Sequence, residues 1–252
     1  MDAIDAIVQR AKIMADKCVQ QPKYSCDICK DTEFVFTKDE NGIEYAARCQ
    51  CFEKKQALRL LRRSGISEED ASKGFKGFNT YGEDKLERAK QTALDYFKTY
   101  EENNGKRNNS LLLCGASGRG KTTLGMAVAN NLINSCVYVR YMPYREEIMQ
   151  LKQQVTDEQT YNDHMHSLKT ASVLFVDDLL KGKVTESDLN IIYEIINHRY
   201  LAKLPMIIST EKLPQELLDF DEAVGGRILE MCKGHAAVFD ESIPNHRMRD
   251  FF

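Results

Sequence analysis

Apolar and polar positions alternate in more than one rhythm along this chain. Ile4, Ile7, Ala11, Met14 and Cys18 fall at helical spacing and Pro22 ends the pattern, which predicts one amphipathic helix over residues 2–20. The rhythm then shortens. Short strands are predicted around residues 34–36 and 45–47, joined by an Asn41-Gly42 turn and flanked by Cys26, Cys29, Cys49 and Cys51, a hairpin closed by cysteines. A basic helix over 53–63 stops at Gly65, and Ser67 followed by Glu68, Glu69 and Asp70 has the form of a helix cap with an acidic first turn. A further helix over 83–101 carries Leu86, Ala89, Ala93, Tyr96, Phe97 and Tyr100 on one side.

From residue 110 onward the pattern becomes regular. Strands are predicted at 110–114, 137–141, 173–176, 206–209 and 235–239, with helices at 121–133, near 145–154, at 187–201, and as short pieces after the fourth strand. Apolar strands alternating with helices predict an α/β fold, a five-stranded parallel sheet covered on both faces. The boundary between the small N-terminal module and this domain falls within 64–80, giving 1–66 and 67–252.

Composition narrows the function. At 252 residues the chain can bury one substantial core and a small appended module, and a net charge of -3 confines any nucleic-acid contact to a local patch. The N-terminus is acidic from its second residue and lacks a continuous apolar segment, so no secretory signal is read, and no apolar run reaches membrane-span length. A cytoplasmic location is expected, where the eight cysteines are reduced thiols or metal ligands rather than a disulfide framework.

GASGRGKT at 115–122 matches the phosphate-loop pattern between a strand and a helix. Its glycines let backbone N-H groups face phosphate at a helix N-terminus, with Lys121 as a point charge and the Thr122 hydroxyl suited to Mg²⁺. Gly115, Ala116, Ser117, Gly118, Arg119, Gly120, Lys121, Thr122 and Thr123 are therefore the candidate nucleotide contacts. The strand VLFVDDLL ends in two carboxylates: Asp177 suits the magnesium shell, and Asp178 is the candidate to polarise attacking water.

The succession GASGRGKT, LFVDD, IIST, GGRILE and a basic C-terminus resembles the AAA+ ATPase domain of DnaC/DnaI-type bacterial helicase loaders and the related IstB-like transposition ATPases, over roughly residues 70–252. The cysteine-rich N-terminal module favours the loader branch. The resemblance implies an ATPase that assembles through its ATP sites and delivers a hexameric replicative DNA helicase to single-stranded DNA. It makes Asp177 and Asp178 the Walker B acids of an ASCE-type sheet, Arg227 the arginine finger reaching a neighbour's γ-phosphate, and Arg247 the second sensor, with Arg249 in reserve. Thr210 is the first-sensor candidate, although Glu211 beside it departs from the family's usual neutral residue; Arg119 also departs from the small residues more usual in the loop. No separate lid domain is expected, because the chain stops soon after the fifth strand. The second acid is Asp rather than Glu, one methylene shorter, so hydrolysis is expected to be slow and switch-like.

Cys26, Cys29, Cys49 and Cys51, with 19 residues between the pairs, suit tetrahedral Zn²⁺ in a zinc-ribbon-like module. Cys18, Cys114, Cys136 and Cys232 are read as core, and His164 and His166 as a polar loop or helix surface. Lys54, Lys55, Arg59, Arg62 and Arg63 surround Ala57, Leu60 and Leu61 on the basic helix, suited to tracking phosphates, to docking on an acidic partner, or to a solvated face. Tyr24, Phe34, Phe36 and Tyr45 are suited to stacking bases, yet in so small a module more often form its core. By resemblance, the N-terminal module is where a loader grips its helicase. The transposition ATPase is the nearest alternative. A phosphotransferase is disfavoured by Arg227, by the cysteine module and by the lack of an arginine-rich lid; a GTPase by the lack of an N-K-x-D motif. A zinc-dependent nucleic-acid-binding module with a purely structural nucleotide site is separated from the loader by measured turnover.

Overall fold

The computed structural model describes residues 24–251; the expected helix over 2–20 and Cys18 lie outside the described residues, as does the Arg249 side chain. The chain divides into two compact units between Lys55 and Gln56. In the first, β1 (Phe34–Lys38) pairs antiparallel with β2 (Glu44–Arg48) in the register Phe34 to Arg48 through Lys38 to Glu44. The turn is closed by the Asp39 carboxylate, which accepts the N-H groups of Asn41 and Ile43 at 2.9 and 2.8 Å. Phe34 and Phe36 lie on one face of this ribbon and Tyr45 on the other, and all three are exposed, Phe36 by 84%. The aromatics do not form a core, contrary to the expectation for a small module.

The helix α1 (Phe52–Ser64) crosses the division. Its later residues Ala57, Leu60 and Leu61, at i, i+3 and i+4, pack against the core of the second unit, as does Ile66. That unit continues through α2 (Glu68–Ala71), whose N-cap Ser67 accepts the Asp70 N-H, then α3 (Asp84–Lys98) and α4 (Tyr100–Asn103). Thereafter come β3 (Leu111–Gly115), α5 (Lys121–Asn134), β4 (Val139–Pro143), α6 (Tyr144–Gln154) and α7 (Glu158–Thr170). They are followed by β5 (Val173–Leu179), α8 (Glu186–Ala202), β6 (Met206–Thr210), α9 (Pro214–Phe220), α10 (Glu222–Met231) and β7 (Ala236–Phe239).

The five strands of this unit form one parallel sheet in the order β4-β5-β6-β3-β7, as expected. Strand alternation sorts the buried side chains between two cores. Leu111, Leu113, Val173, Phe175 and Ile207 join α3 and α5 on one face. Leu112, Cys114, Leu174, Val176, Met206 and Ile208 join α6, α7, α8 and α10 on the other. Arg199 is fully buried near the second face and donates to the carbonyls of Leu168, Lys169, Ala171 and Pro205 at 2.7–3.1 Å. Burial lowers its pKa to about 9. Among the described residues no helix is long and apolar enough to cross a membrane.

Two local expectations are corrected. The second strand of the sheet starts at Val139 rather than 137, because the Val137 N-H closes α5 by donating to Leu132 O at 2.9 Å. The preceding Cys136 adopts φ +62° in that turn and is only half-buried, so it is not core, whereas Cys114 and Cys232 are. The helix α7 went unread because its buried residues are only Met165 and Leu168, with Tyr161 partly buried one turn earlier.

Candidate nucleotide site and cysteine centre

The phosphate loop leaves β3 at Gly115, φ +114°, beside the edge strand β7. A Cβ there would collide with the Phe239 carbonyl, which accepts the Ala116 N-H at 2.8 Å. Gly118, φ +75°, faces the Asn245 side chain, which fills the space a Cβ would need. Gly120 then opens α5 without any side-chain cap, leaving the first N-H groups of a long helix free for an anion. Arg119 braces the loop instead of extending from it: Nε donates to Ile243 O at 2.8 Å and Nη1 to Ser117 O at 2.9 Å. The C-terminal segment is tied in again by the His246 N-H to Gly118 O, 3.0 Å.

Lys121 is 5% exposed, and its Nζ donates to Gly115 O and Ala116 O at 2.7 and 2.8 Å. Burial lowers its pKa, opposed by the nearby Glu211 and Asp178 carboxylates. Thr122 Oγ1 donates to Asp177 Oδ1 at 2.9 Å. Asp177 also accepts from Ser209 Oγ and, at 3.1 Å, from Tyr141 OH. Burial pushes its pKa up despite these neutral donors and with Asp178 adding to the rise.

An unbroken strand would aim Asp177 and Asp178 at opposite faces. Here the β5-β6 register slips between Val176 and Leu179, and Asp178 takes φ +56°. The bulge places Asp177 against Thr122 and lets Asp178 line the same cleft, of about 230 Å³, as Ser117, Lys121 and Thr122. The slip is held by the Asp178 N-H donating to Ser209 Oγ at 2.9 Å.

Thr123 and Arg247 also line this cleft, so the site gathers the phosphate loop, both acids' strand and the second-sensor candidate. Arg119, which lines the neighbouring hollow, Thr210 and Arg227 are not brought there. Thr210 is fully buried and donates to Leu179 O at 2.8 Å, so the first-sensor expectation fails on accessibility; Glu211 is the residue whose charge reaches Lys121. Arg227 sits on α10, its Nη1 on Ala223 O at 2.8 Å and its guanidinium 5.2 and 5.4 Å from the Tyr193 and Tyr200 rings. Sequence reasoning missed Ser209, Tyr141, Lys181 and His246, because each acts through a contact made only by the fold. His246 also stacks on Tyr81 at 4.6 Å beside a second hollow of about 160 Å³ that includes Phe78 and Arg119.

In the first unit the sulfurs of Cys26, Cys29, Cys49 and Cys51 all lie within 4.8 Å of one another, with Cys26 to Cys49 at 3.8 Å and Cys29 to Cys51 at 3.4 Å. A zinc tetrahedron with Zn-S of about 2.3 Å has edges of about 3.8 Å, so the cluster fits that ion. The N-H groups of Cys29 and Ile28 hold Cys26 down at about 6, whereas burial and neighbouring sulfurs push Cys51 up to about 12. Full ionisation of such a cluster requires a cation among the sulfurs. Asp31 holds the first knuckle, accepting from the Ser25 and Cys26 N-H groups at 3.0 Å and from Lys55 at 2.7 Å. His164 bonds Glu147 and, at 2.9 Å, Gln154, while His166 is exposed; neither joins a metal cluster among the described residues.

A family model described as the bacterial DnaA ATPase domain matches residues 77–231. The phage-like element PBSX protein XkdC of Bacillus subtilis is 34% identical over 95% of this chain and 92% of its own length. Protein YqaM of the same organism is 36% identical over 82% of this chain and 68% of its own. The B. subtilis replicative helicase loader DnaI is 31% identical over 50% of the chain and 40% of its own length. Two solved structures share the fold: DnaI, with TM-score 0.57, 23% identity and coverage of 70% of this chain and 94% of that one; and the DnaC helicase loader, with 0.58, 21%, 69% and 99%.

Proposed function

Because the chain belongs to the bacterial DnaA ATPase-domain family of AAA+ proteins, we propose that it is an ATP-dependent loader that binds a hexameric replicative helicase and delivers it to single-stranded DNA. The observation that carries the nucleotide part is the cleft lined by Lys121, Thr122 and Asp178, with the Asp177 carboxylate behind it on the Thr122 hydroxyl. Thr122 and Asp177 are the residues that would hold Mg²⁺, and Lys121 with the opening N-H groups of α5 would hold the phosphates. Mg·ATP supplies the transferable γ-phosphoryl group when bound. Asp178 accepts a proton from attacking water, and Arg247 steadies the phosphates from the C-terminal segment. Arg227, away from its own cleft, serves a neighbouring copy across an ATP-dependent interface. Its guanidinium is positioned on the Tyr193 and Tyr200 rings until that neighbour arrives.

The cysteine centre would hold Zn²⁺, which ties the two ends of the hairpin. Exposed Ile28, Phe36 and Ile43 then form the helicase-docking surface. Acidic residues outnumber basic ones between residues 24 and 55, which favours a protein over a nucleic-acid backbone on this module. Phosphate contact with single-stranded DNA falls instead to the exposed Arg59 and Arg62 of α1, in the second unit. The intended workplace is the cytoplasm.

Helicase capture tests the reading. The tagged chain should retain a hexameric replicative helicase in the presence of ATP, and Phe36→Asp should reduce that retention. A truncation should end at residue 55 rather than 66, because Ala57, Leu60, Leu61 and Ile66 pack on the ATPase core. Capture that survives removal of residues 1–55 would assign the docking surface elsewhere.

A further inference from the structure

The turn after β5 carries a lysine that none of the expected roles uses. Asp178 and Leu180 both adopt left-handed backbone, φ +56° and +58°, and the Lys181 N-H returns to Asp178 O at 3.2 Å. This folds the Lys181 side chain over the phosphate cleft, which it lines together with Lys121, Thr122 and Asp178. Its Nζ lies 2.9 Å from Asp178 Oδ2 and 3.2 Å from Glu211 Oε1, with the side chain about one-third exposed. Glu211, which should repel a γ-phosphate, is thereby neutralised.

We infer that Lys181 is a specificity-determining residue of the nucleotide site, a further phosphate-facing cation, beside Lys121 and Arg247, that distinguishes a nucleoside triphosphate from a diphosphate. The inference rests on the nucleotide reading of the cleft. Without Lys181, the Asp178 and Glu211 carboxylates it now pairs with would oppose the anionic ligand. An ammonium on a four-carbon stem has three donors, so it can keep one carboxylate and donate a hydrogen bond to a terminal phosphate oxygen while staying charged. A diphosphate, ending nearer Lys121, gains less from this exchange. The same exchange frees Asp178 to meet water only when a triphosphate is present.

The test is equilibrium binding to the full chain of Mg²⁺ with a non-hydrolysable ATP analogue, and of Mg²⁺ with ADP, each competed against a fluorescent nucleotide. Lys181→Met should weaken the triphosphate about ten-fold or more, as expected for losing one charged hydrogen bond, and change ADP by less than about three-fold. Lys181→Arg should keep most of the preference. Glu211→Gln should raise it, and adding Glu211→Gln to Lys181→Met should restore part of the loss, because the uncompensated carboxylate is gone. A merely structural lysine would move both affinities together. An unchanged triphosphate-to-diphosphate ratio in Lys181→Met overturns the inference while leaving the nucleotide site in place; should Lys181→Met fail to fold, an unchanged ratio in Glu211→Gln overturns it equally. Failure of the unsubstituted chain to bind either nucleotide would overturn the nucleotide reading itself, and this inference with it.

Discussion

Replacing Asp177 by Asn removes a charge from a buried position while keeping its shape, so the ligand-free fold should gain stability as the nucleotide response is lost. Asp177 is 6% exposed, and the donors it meets, Thr122, Ser209 and Tyr141, are all neutral hydroxyls. Asn keeps the acceptor facing Thr122 and Ser209, and its amide can donate to the Tyr141 oxygen. Burial raises the Asp177 pKa, so the folded state holds its proton more tightly than the unfolded state does. The penalty is therefore full above the folded pKa and disappears as pH falls through it toward the unfolded value. Relief of a buried charge with its hydrogen bonds retained is worth about 1 to 2 kcal/mol near neutral pH, or roughly 2 to 8 °C in Tm for a unit of this size. The wild-type chain should gain about 2.7 kcal/mol from Mg·ATP at a hundred times its Kd, an increment Asp177→Asn should lack. Thermal unfolding near pH 7, with and without Mg·ATP, measures both. A variant less stable than wild type without ligand, or one that keeps the Mg-dependent increment, would refute the reasoning.

Arg199→Met should cost about 3 to 5 kcal/mol in urea unfolding, because three buried carbonyls and the part-buried Lys169 carbonyl lose their donor; a loss below about 1 kcal/mol would mean that water replaces it. Cys29→Ser should abolish stoichiometric zinc, read by elemental analysis, and remove amide-exchange protection from β1 and β2, while the melting of the ATPase unit stays in place. Zinc retained at one per chain would contradict the four-sulfur centre. Arg227→Ala should bind ATP normally yet lose roughly 10³-fold in assembly-dependent turnover; unchanged turnover would return Arg227 to its ring-stacked surface role.

The sheet was legible because its five strands are short apolar runs between helices, and each strand's alternate residues feed different cores. The phosphate loop and the Asp177-Asp178 pair were legible for a related reason: their spacing is local, and local spacing survives folding. Contacts made across the fold were not. Ser209 lies 32 residues from Asp177, and only the pairing of β5 with β6 makes it that carboxylate's partner. Thr210 and Glu211 show the same limit, since Thr210 ends a central strand buried on both faces and the next residue turns back toward Lys181. The placement of the hairpin aromatics, surface or core, stayed open in the sequence; a small module built around four sulfurs needs little apolar core, which leaves Phe34, Phe36 and Tyr45 exposed.

Single-turnover ATP hydrolysis by the full chain at saturating nucleotide, comparing wild type with Asp178→Asn, tests the central claim most directly. The account requires Asp178→Asn to bind Mg·ATP with near wild-type affinity and to lose turnover by about 10² or more. Hydrolysis at the wild-type rate would contradict it, and would move the proton-accepting role to Glu211.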